Sequence, residues 1–459
     1  MFNARTWASK FSKDPMSSSS KPVYRIGSGA GFAGDRVDPA VALAASGQVD
    51  AVALECLAER TLVPAIKARA ENAQAGFDPR LRRRLTPLLP AAAKTHCKII
   101  SNLGAANPVA AGVAIADLAK GLGISGMRVA AVEGDDVMAI AHQVKWVKPV
   151  EGRLLGAHAY LGCVPMAEAL EAGADVVVTG RVADSALFAA PVRQFLNKDP
   201  HALAGALTVG HLLECGGQLT GGNYDTLGGP KPGNPLSAAD FAALGYPLAH
   251  VYADGTADIT VLDGTPAIVD TLTCTLQLLY EVHDPSRYAT PDLVLDFSGI
   301  RFEQIGHKCI RMTGARTSGP PPTLKVAGFV ELPGFIADCE IGFAGTGAYE
   351  RARRAAETLR MRLRDWQDDD VAIDLVGVNS VLRAGSLLAP PPAELRVHVS
   401  ARCKDSEMAQ VIEDEIYALT LSGPAGGCSV RSERRNRIEV LDGFIDPALV
   451  KTHIRWSQS

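Results

Sequence analysis

The chain has 459 residues, of which 47% are hydrophobic and 21% charged, with 46 basic against 50 acidic side chains and a formal net charge of -4. These fractions exclude a wholly disordered or fibrous chain, and the near-even charge leaves no basic footprint for nucleic acid. At roughly 100–200 residues per domain, the length permits two to four structural units.

Residues 1–21 hold Arg5, Lys10, Lys13 and the run Ser17 to Ser20, with no apolar core for a secretory signal. A disordered tail is expected there, with a transit segment as the alternative. From Val23 short apolar runs alternate with helical stretches. Val23–Ile26 reads as a strand, followed by a glycine loop over Gly27–Gly34 and a helix capped by Asp38, with Pro39 at its first position. The runs Val49–Leu54, Cys97–Ser101, Met127–Val132, Ala157–Leu161 and Asp175–Thr179 continue the strand series. Val109–Leu122 and Pro165–Ala172 read as helices between them. This alternation predicts an α/β fold, with a mainly parallel sheet covered by helices, over residues 22–240. Periodicity leaves open whether that sheet is flat-edged or barrel-like.

Beyond residue 240 the pattern becomes α+β. Val251–Asp270 contains the turns Asp254-Gly255 and Asp263-Gly264 between alternating segments, a hairpin signature. Asp296–Ala315, Leu324–Val330, Val371–Val376 and Glu394–Ser400 read as strands, Ala348–Trp366 and Ser406–Leu421 as helices. The second lobe is thus 241–459, with Pro390–Pro392 as a linker candidate. The longest uncharged run, Ile99–Ala116, is interrupted by Asn102, Asn107 and Pro108, so no membrane span is expected. Nine scattered cysteines without a C-x-x-C pair exclude a zinc knuckle and point to a reducing, cytoplasmic setting.

In a parallel α/β sheet, ligands bind beyond the carboxyl ends of the strands. The polar residues there are Asp35 and Arg36 after the first strand, Glu55 and Glu59 after the second, and Asn102 and Asn107 after the third. Asp135 and Asp136 follow the fourth, and Arg181 and Asp184 the sixth. Glu55, Asp135 or Asp184 can serve as a general base, and Asn102 or Asn107 can polarise an oxygen. Arg36 and Arg181 can grip a carboxylate or phosphate. Glu55, Asp135, Asp136 and Asp184 are also candidates for holding Mg²⁺, with helix caps and ion pairs as the competing reading. The run Arg82-Arg83-Arg84 near Asp78 reads as a solvated helix face.

Gly29-Ala30-Gly31-Phe32-Ala33-Gly34 satisfies G-x-G-x-x-G, with Glu55 in the place of a ribose-binding acid. Asp35-Arg36 before the helix start oppose a dinucleotide, since the helix N-terminus would not meet the pyrophosphate. Gly29 and Gly31 stay candidates for letting backbone N–H groups approach an anionic substrate, with a tight structural turn as the alternative. His211 and Cys215 stand at i, i+4, which invites a nucleophilic pair but offers no obvious orienting acid. No G-x-S-x-G, P-loop, H-E-x-x-H or EF-hand is present.

Taken together, several segments resemble the acyclic terpene utilisation (AtuA-like) family. They are Gly29 to Arg36, Asn102-Leu103-Gly104-Ala105-Ala106-Asn107-Pro108, Gly134-Asp135-Asp136 and Thr179-Gly180-Arg181-Val182-Ala183-Asp184-Ser185. Gly210-His211-Leu212-Leu213-Glu214-Cys215-Gly216, Leu279 to Pro285 and Gly423-Pro424-Ala425-Gly426-Gly427 complete the ordered set. The resemblance implies a catabolic setting with CoA thioesters or their carboxylic acids nearby, a thioester being substrate rather than cofactor, but carries over no catalytic residues. Longer members have a further ferredoxin-like domain, so the resemblance implies that what it supplies comes from a small partner subunit or is dispensable. The combined expectation is a cytoplasmic, homo-oligomeric lyase or hydratase acting on an acyl-CoA or branched hydroxy-acid. Its substrate contacts would be Gly29, Gly31, Asp35, Arg36, Arg181 and Glu214. The alternative is a non-catalytic acyl-CoA or ligand-binding subunit that requires a small partner protein.

Overall fold

The computed structural model describes residues 23–225, 233, 235–365, 370–382 and 392–459. The predicted N-terminal tail, Trp366 at the end of a predicted helix, and Pro390 and Pro391 of the candidate linker lie outside these residues. The chain divides into two units. The first comprises residues up to 136, 159–325 and 445–459, the second 137–158 and 326–444. Residues 241–325, assigned by sequence to the second lobe, therefore fold with the first.

The first unit is built on an open sheet of ten strands. Its parallel centre consists of β1 (Val23–Ala30), β2 (Ala51–Leu54), β3 (Lys98–Ser101), β4 (Arg128–Glu133) and β5 (Val176–Thr179). Antiparallel strands flank it: β6 (Pro247–Tyr252), β7 (Ala257–Val261), β8 (Arg301–Gly306), β9 (Cys309–Thr313) and β10 (His453–Gln458). The order is β8-β9-β7-β6-β1-β2-β3-β5-β4-β10. Strands β2 and β5 read AVAL and VVVT and are buried throughout, as a strand covered on both faces requires.

Helices α1 (Asp38–Ser46), α2 (Glu59–Glu71), α3 (Leu81–Thr95) and α4 (Pro108–Gly121) come before β4 in the chain. Helices α5 (Val164–Glu171), α6 (Asp184–Val192), α7 (Pro200–Leu213) and α8 (Thr271–Leu279) come after it. On one face of the sheet Leu43, Leu85, Leu88 and Ile115 of α1, α3 and α4 pack against Val52, Ile99 and Val178. On the other, Met166, Leu187, Phe188 and Leu207 of α5, α6 and α7 pack against Ala53, Ile100 and Val177. The chain leaves β3 through α4 on the first face, passes over the position of β5 to reach β4, and returns to β5 through α5 on the second. The loops leaving the neighbouring strands β3 and β5 thus diverge, which makes their carboxyl ends the topological switch point, the place where open α/β sheets form a ligand crevice.

The second unit is antiparallel. Strand Leu324–Ala344 pairs with Glu394–Cys403 in the register Ile341↔Val397, and Val371–Val376 adds outside it as Ile373↔Val399. In Glu394–Cys403 the residues Leu395, Val397, Val399, Ala401 and Cys403 are buried and their neighbours are not, the period-two pattern of a one-sided sheet. Helices Ala348–Arg362 and Ser406–Ser422 cover that face through Ala352, Ala355, Leu359, Ile412 and Ile416.

Three expectations need correction. The run Ala157–Leu161 is not a parallel strand. The strand there is Arg153–Ala159, which pairs with Leu324–Ala344, and only Leu161 makes an isolated parallel bridge, to Val182. Of the two Asp-Gly turns, only Asp254-Gly255 closes a hairpin, with Gly255 at φ +81°. The segment after Asp263-Gly264 runs instead into α8, capped where Thr273 N donates to Asp270 Oδ1 over 2.8 Å. Strand β10 was not foreseen. It lies at the sheet edge against β4 with no buried residue, so it lacks the apolar alternation by which strands are recognised. The six-residue mixed pattern is nonetheless anchored, with the Arg128 guanidinium 4.6 Å above the Trp456 ring.

Candidate functional site

The glycine segment is continuous with β1. Gly29 sits in the strand because a Cβ there would fall 2.7 Å from Val52 Cγ1 and 3.1 Å from the Ala40 side chain. Gly31 lies against the chain after α7, where a Cβ would come within 2.4 Å of the Cys215 carbonyl carbon. Asp35 turns back on the loop and accepts from Gly31 N and Arg36 N, each at 2.8 Å, and from the Tyr246 hydroxyl. The backbone donor that an anion would seek at Gly31 is therefore already taken by a carboxylate. Arg36 is held by Asp38 and by the Leu244 carbonyl at 3.1 Å, and Asp38 itself is the first residue of α1, with no capping bond.

Arg84 corrects the reading of its basic run. Arg82 and Arg83 are exposed, but Arg84 is 1% exposed and donates to the carbonyls of Phe32, Ala33, Asp35 and Arg36 over 2.8–3.3 Å. It is the internal scaffold of the glycine loop. Arg84→Met leaves those carbonyls without their buried donor, and a loss of about 2–4 kcal/mol in unfolding free energy is expected from urea titration.

At the crevice the strand ends converge. Glu55 follows β2 directly and is buried, and its N–H donates to Ala30 O at 3.0 Å, tying it to the end of β1. Glu55 Oε1 accepts from Leu57 N at 2.7 Å and from Asn102 Nδ2 at 3.1 Å, while Oε2 has no hydrogen bond among the described residues. Asn102, fully buried after β3, also accepts from Cys56 N at 2.6 Å. Both ends of its amide thus fix the turn that carries Glu55. Burial raises the Glu55 carboxyl above its ordinary range, against the opposing pull of Arg181 and of the two hydrogen bonds.

Arg181 follows β5 and is 2% exposed on its side chain. Its backbone N–H donates to Asp135 Oδ2 at 2.8 Å, so Asp135 holds the turn that carries Arg181. The guanidinium donates to Leu57 O and Val182 O, pairs with Asp184, and lies 4.6 Å above the ring of Tyr160. Tyr160 in turn donates to Glu59, and Lys325 Nζ sits 5.5 Å from the same ring. Asp184 is the first residue of α6, where the helix dipole favours its negative charge. Its side chain is 37% exposed, so it lines the opening of the recess. Burial, with Glu55, Glu214 and Glu59 adding to it, still pushes the Asp184 carboxyl well above the usual range despite Arg181. Burial raises Glu59 too, but the Tyr160 hydrogen bond and the nearby cations outweigh it and leave Glu59 below the usual range.

The structure brings together Glu55, Asn102, Arg181 and Asp184, and Glu214 joins them electrostatically from the end of α7. It does not bring Asn107, Asp136 or Arg36 to that group. Asn107 caps α4, accepting from Ala110 N at 3.2 Å and donating to the carbonyls of Ala73 and Ala75. Asp136 pairs with Arg69 at 3.1 Å, away from the bond that Asp135 makes. The two adjacent aspartates thus serve different partners, and no three His, Cys, Asp or Glu among the described residues are placed to hold a metal ion. His211 and Cys215 are not a nucleophilic pair either: burial raises the Cys215 thiol far above its usual range, and His211 faces Glu214.

Neither Tyr160 nor Lys325 carries a local sign of membership in the site. Tyr160 stands in an apolar run that reads as a strand interior, and Lys325 lies far along the chain from the crevice. A separate cleft of about 220 Å³ lined by His96, Cys97, Met127 and Asp175 lies at the opposite, amino-terminal ends of β3 and β5. It shares none of these residues.

The family model for "Acyclic terpene utilisation family protein AtuA" matches residues 24–456, from the first strand to the last. The chain belongs to the acyclic terpene utilisation family. In this member the matched span includes every residue of the crevice. No curated protein and no solved structure matches the chain. Among the described residues of this family member, no helix is long and apolar enough to cross a membrane.

Proposed function

We propose that this chain is a lyase- or hydratase-type enzyme of acyclic terpene utilisation, acting on a branched acyl-CoA or hydroxy-acid in the cytoplasm. The observation that carries this reading is Glu55. One of its carboxylate oxygens is fixed by Leu57 and Asn102, the other is unengaged among the described residues, and burial makes it a stronger base than an ordinary carboxylate. Asp184 supplies the complementary acid, because burial raises its affinity for a proton while its side chain reaches the opening. Arg181 is the fixed cation between them and is committed mainly to protein groups. In a dehydration, Glu55 takes the proton from the carbon beside the thioester carbonyl and the carbon–carbon double bond forms. The β-hydroxyl leaves with the proton of Asp184 as water, and hydration is the reverse. The nine free cysteines support a reducing compartment.

The test is a panel of branched 3-hydroxyacyl-CoA and enoyl-CoA thioesters, followed by mass spectrometry with wild type, Glu55→Gln and Asp184→Asn. Interconversion by wild type, reduced at least about a hundredfold in each variant, is the expected result. Equal turnover by wild type and both folded variants, or no interconversion of any thioester, overturns the reading.

A further inference from the structure

The geometry points to His211 and Glu214 as a buried imidazolium–carboxylate pair that stores a proton beside the crevice. His211 lies in the last turn of α7 and is 1% exposed, and Glu214 follows three residues later with its side chain 13% exposed. His211 Nε2 is 3.1 Å from the Leu278 carbonyl, a group that only accepts, so Nε2 carries hydrogen. Nδ1 is 2.9 Å from Glu214 Oε1. A neutral imidazole with its hydrogen on Nε2 would set a bare nitrogen lone pair against a carboxylate oxygen at hydrogen-bond distance. A second proton between them removes that clash, and with both ring nitrogens protonated each has an acceptor.

The surroundings favour the charged form. The carboxyl end of a helix stabilises a cation, and α7 ends at Leu213. Phe297 stacks on the ring with centroids 5.5 Å apart, and Tyr288 lies at 5.0 Å. The other groups that face the pair are Glu281, the Cys215 thiol, and Gln277, whose amide donates to His211 O at 3.1 Å. Burial alone would strip the proton from His211, but Glu214, the Leu278 carbonyl and Glu281 more than reverse this.

Glu214 also acts on the charges of Glu55 and Asp184. The connection is structural too, since Cys215 packs on Gly31 and the preceding Ala30 carbonyl accepts from Glu55 N. The use of this proton rests on the acid–base reading of the crevice, whereas its storage does not. In use, the Nδ1–H bond breaks and an O–H bond forms on Glu214, which passes the proton to a crevice carboxylate or a leaving oxygen. His211 remains neutral with Nε2–H on Leu278, and solvent restores the proton.

The experiment is ¹⁵N NMR of the full chain with labelled histidine, with the His211 signals identified among the ten histidines by their loss in His211→Gln. At pH 7.5 an ordinary imidazole is only about one-tenth protonated. His211 is expected to be mostly protonated on both nitrogens at that pH. In Glu214→Gln the amide N–H donates to Nδ1, and His211 is expected to become the neutral Nε2–H form at pH 7.5. A bare Nδ1 in wild type at pH 7.5, or a folded Glu214→Gln protein with unchanged His211 signals, overturns the inference. If Glu214→Gln fails to fold, the wild-type titration decides. Failure here leaves the thioester assay untouched, and failure of that assay leaves the proton count measurable.

Discussion

Glu55→Gln is expected to lower kcat by about 10²–10⁴ while raising the thermal midpoint at pH 7.5. The two effects have one cause. Burial is the largest influence on Glu55 and lifts its carboxyl above the ordinary 4.5, so the folded state disfavours the charge that catalysis needs. Between 4.5 and the raised value the folded state binds more protons than the unfolded state. Stability therefore falls as pH rises through that window, and the destabilisation is complete above it. Glutamine removes the charge and keeps an Oε1 that accepts from Leu57 N at 2.7 Å and Asn102 Nδ2 at 3.1 Å. Arg181 loses one favourable neighbour but retains Asp184. Melting curves of both proteins from pH 4 to 8 should converge at the acid end and separate above it, with the variant higher. A variant that melts lower at pH 7.5, with the gap unchanged at pH 4, would show that Glu55 is a net stabilising partner of Arg181 and no strained base.

That outcome bears on how the site can be read from the sequence. The positions of Glu55, Asn102, Arg181 and Asp184 were legible because each follows a short apolar strand, and the carboxyl ends of parallel strands are where a crevice forms. What they do there was less legible. Asn102 anchors Glu55 through its amide, and Asp135 clamps the backbone N–H of Arg181. Short polar side chains beside strand ends serve chemistry and turn geometry equally well, and only their partners separate the two. Asn107 and Asp38 were ambiguous in the same way. The interleaving of the two units was hidden because Arg153–Ala159 has the composition of a parallel-sheet strand and its pairing with Leu324–Ala344 spans well over a hundred residues. Arg84 was misread because an arginine in a run of three carries no local sign of burial. Its partners are carbonyls of a loop about fifty residues earlier.

Arg181→Met should be the most destabilising single substitution in the crevice, by about 3–5 kcal/mol in chemical denaturation. The guanidinium is 2% exposed and sits among Glu55, Glu59 and Asp184. Removing it leaves buried carboxylates without their cation, and the carbonyls of Leu57 and Val182 without donors. Arg181→Lys is expected to recover only part of the loss. A single ammonium cannot bridge the Leu57 and Val182 carbonyls and Asp184 while lying flat on the Tyr160 ring, 4.6 Å away in the native pairing. The double variant Arg181→Met with Asp184→Asn separates charge from packing. If the unpaired carboxylate dominates the loss, adding Asp184→Asn to Arg181→Met restores stability, although Asp184→Asn alone removes a partner of Arg181. A double-mutant cycle would then give a coupling of at least about 1 kcal/mol. A cycle that closes near zero would place the cost in the lost carbonyl bonds and the Tyr160 stack. Arg181 would then be a structural strut of the β5 turn rather than the cation that balances the acid–base carboxylates.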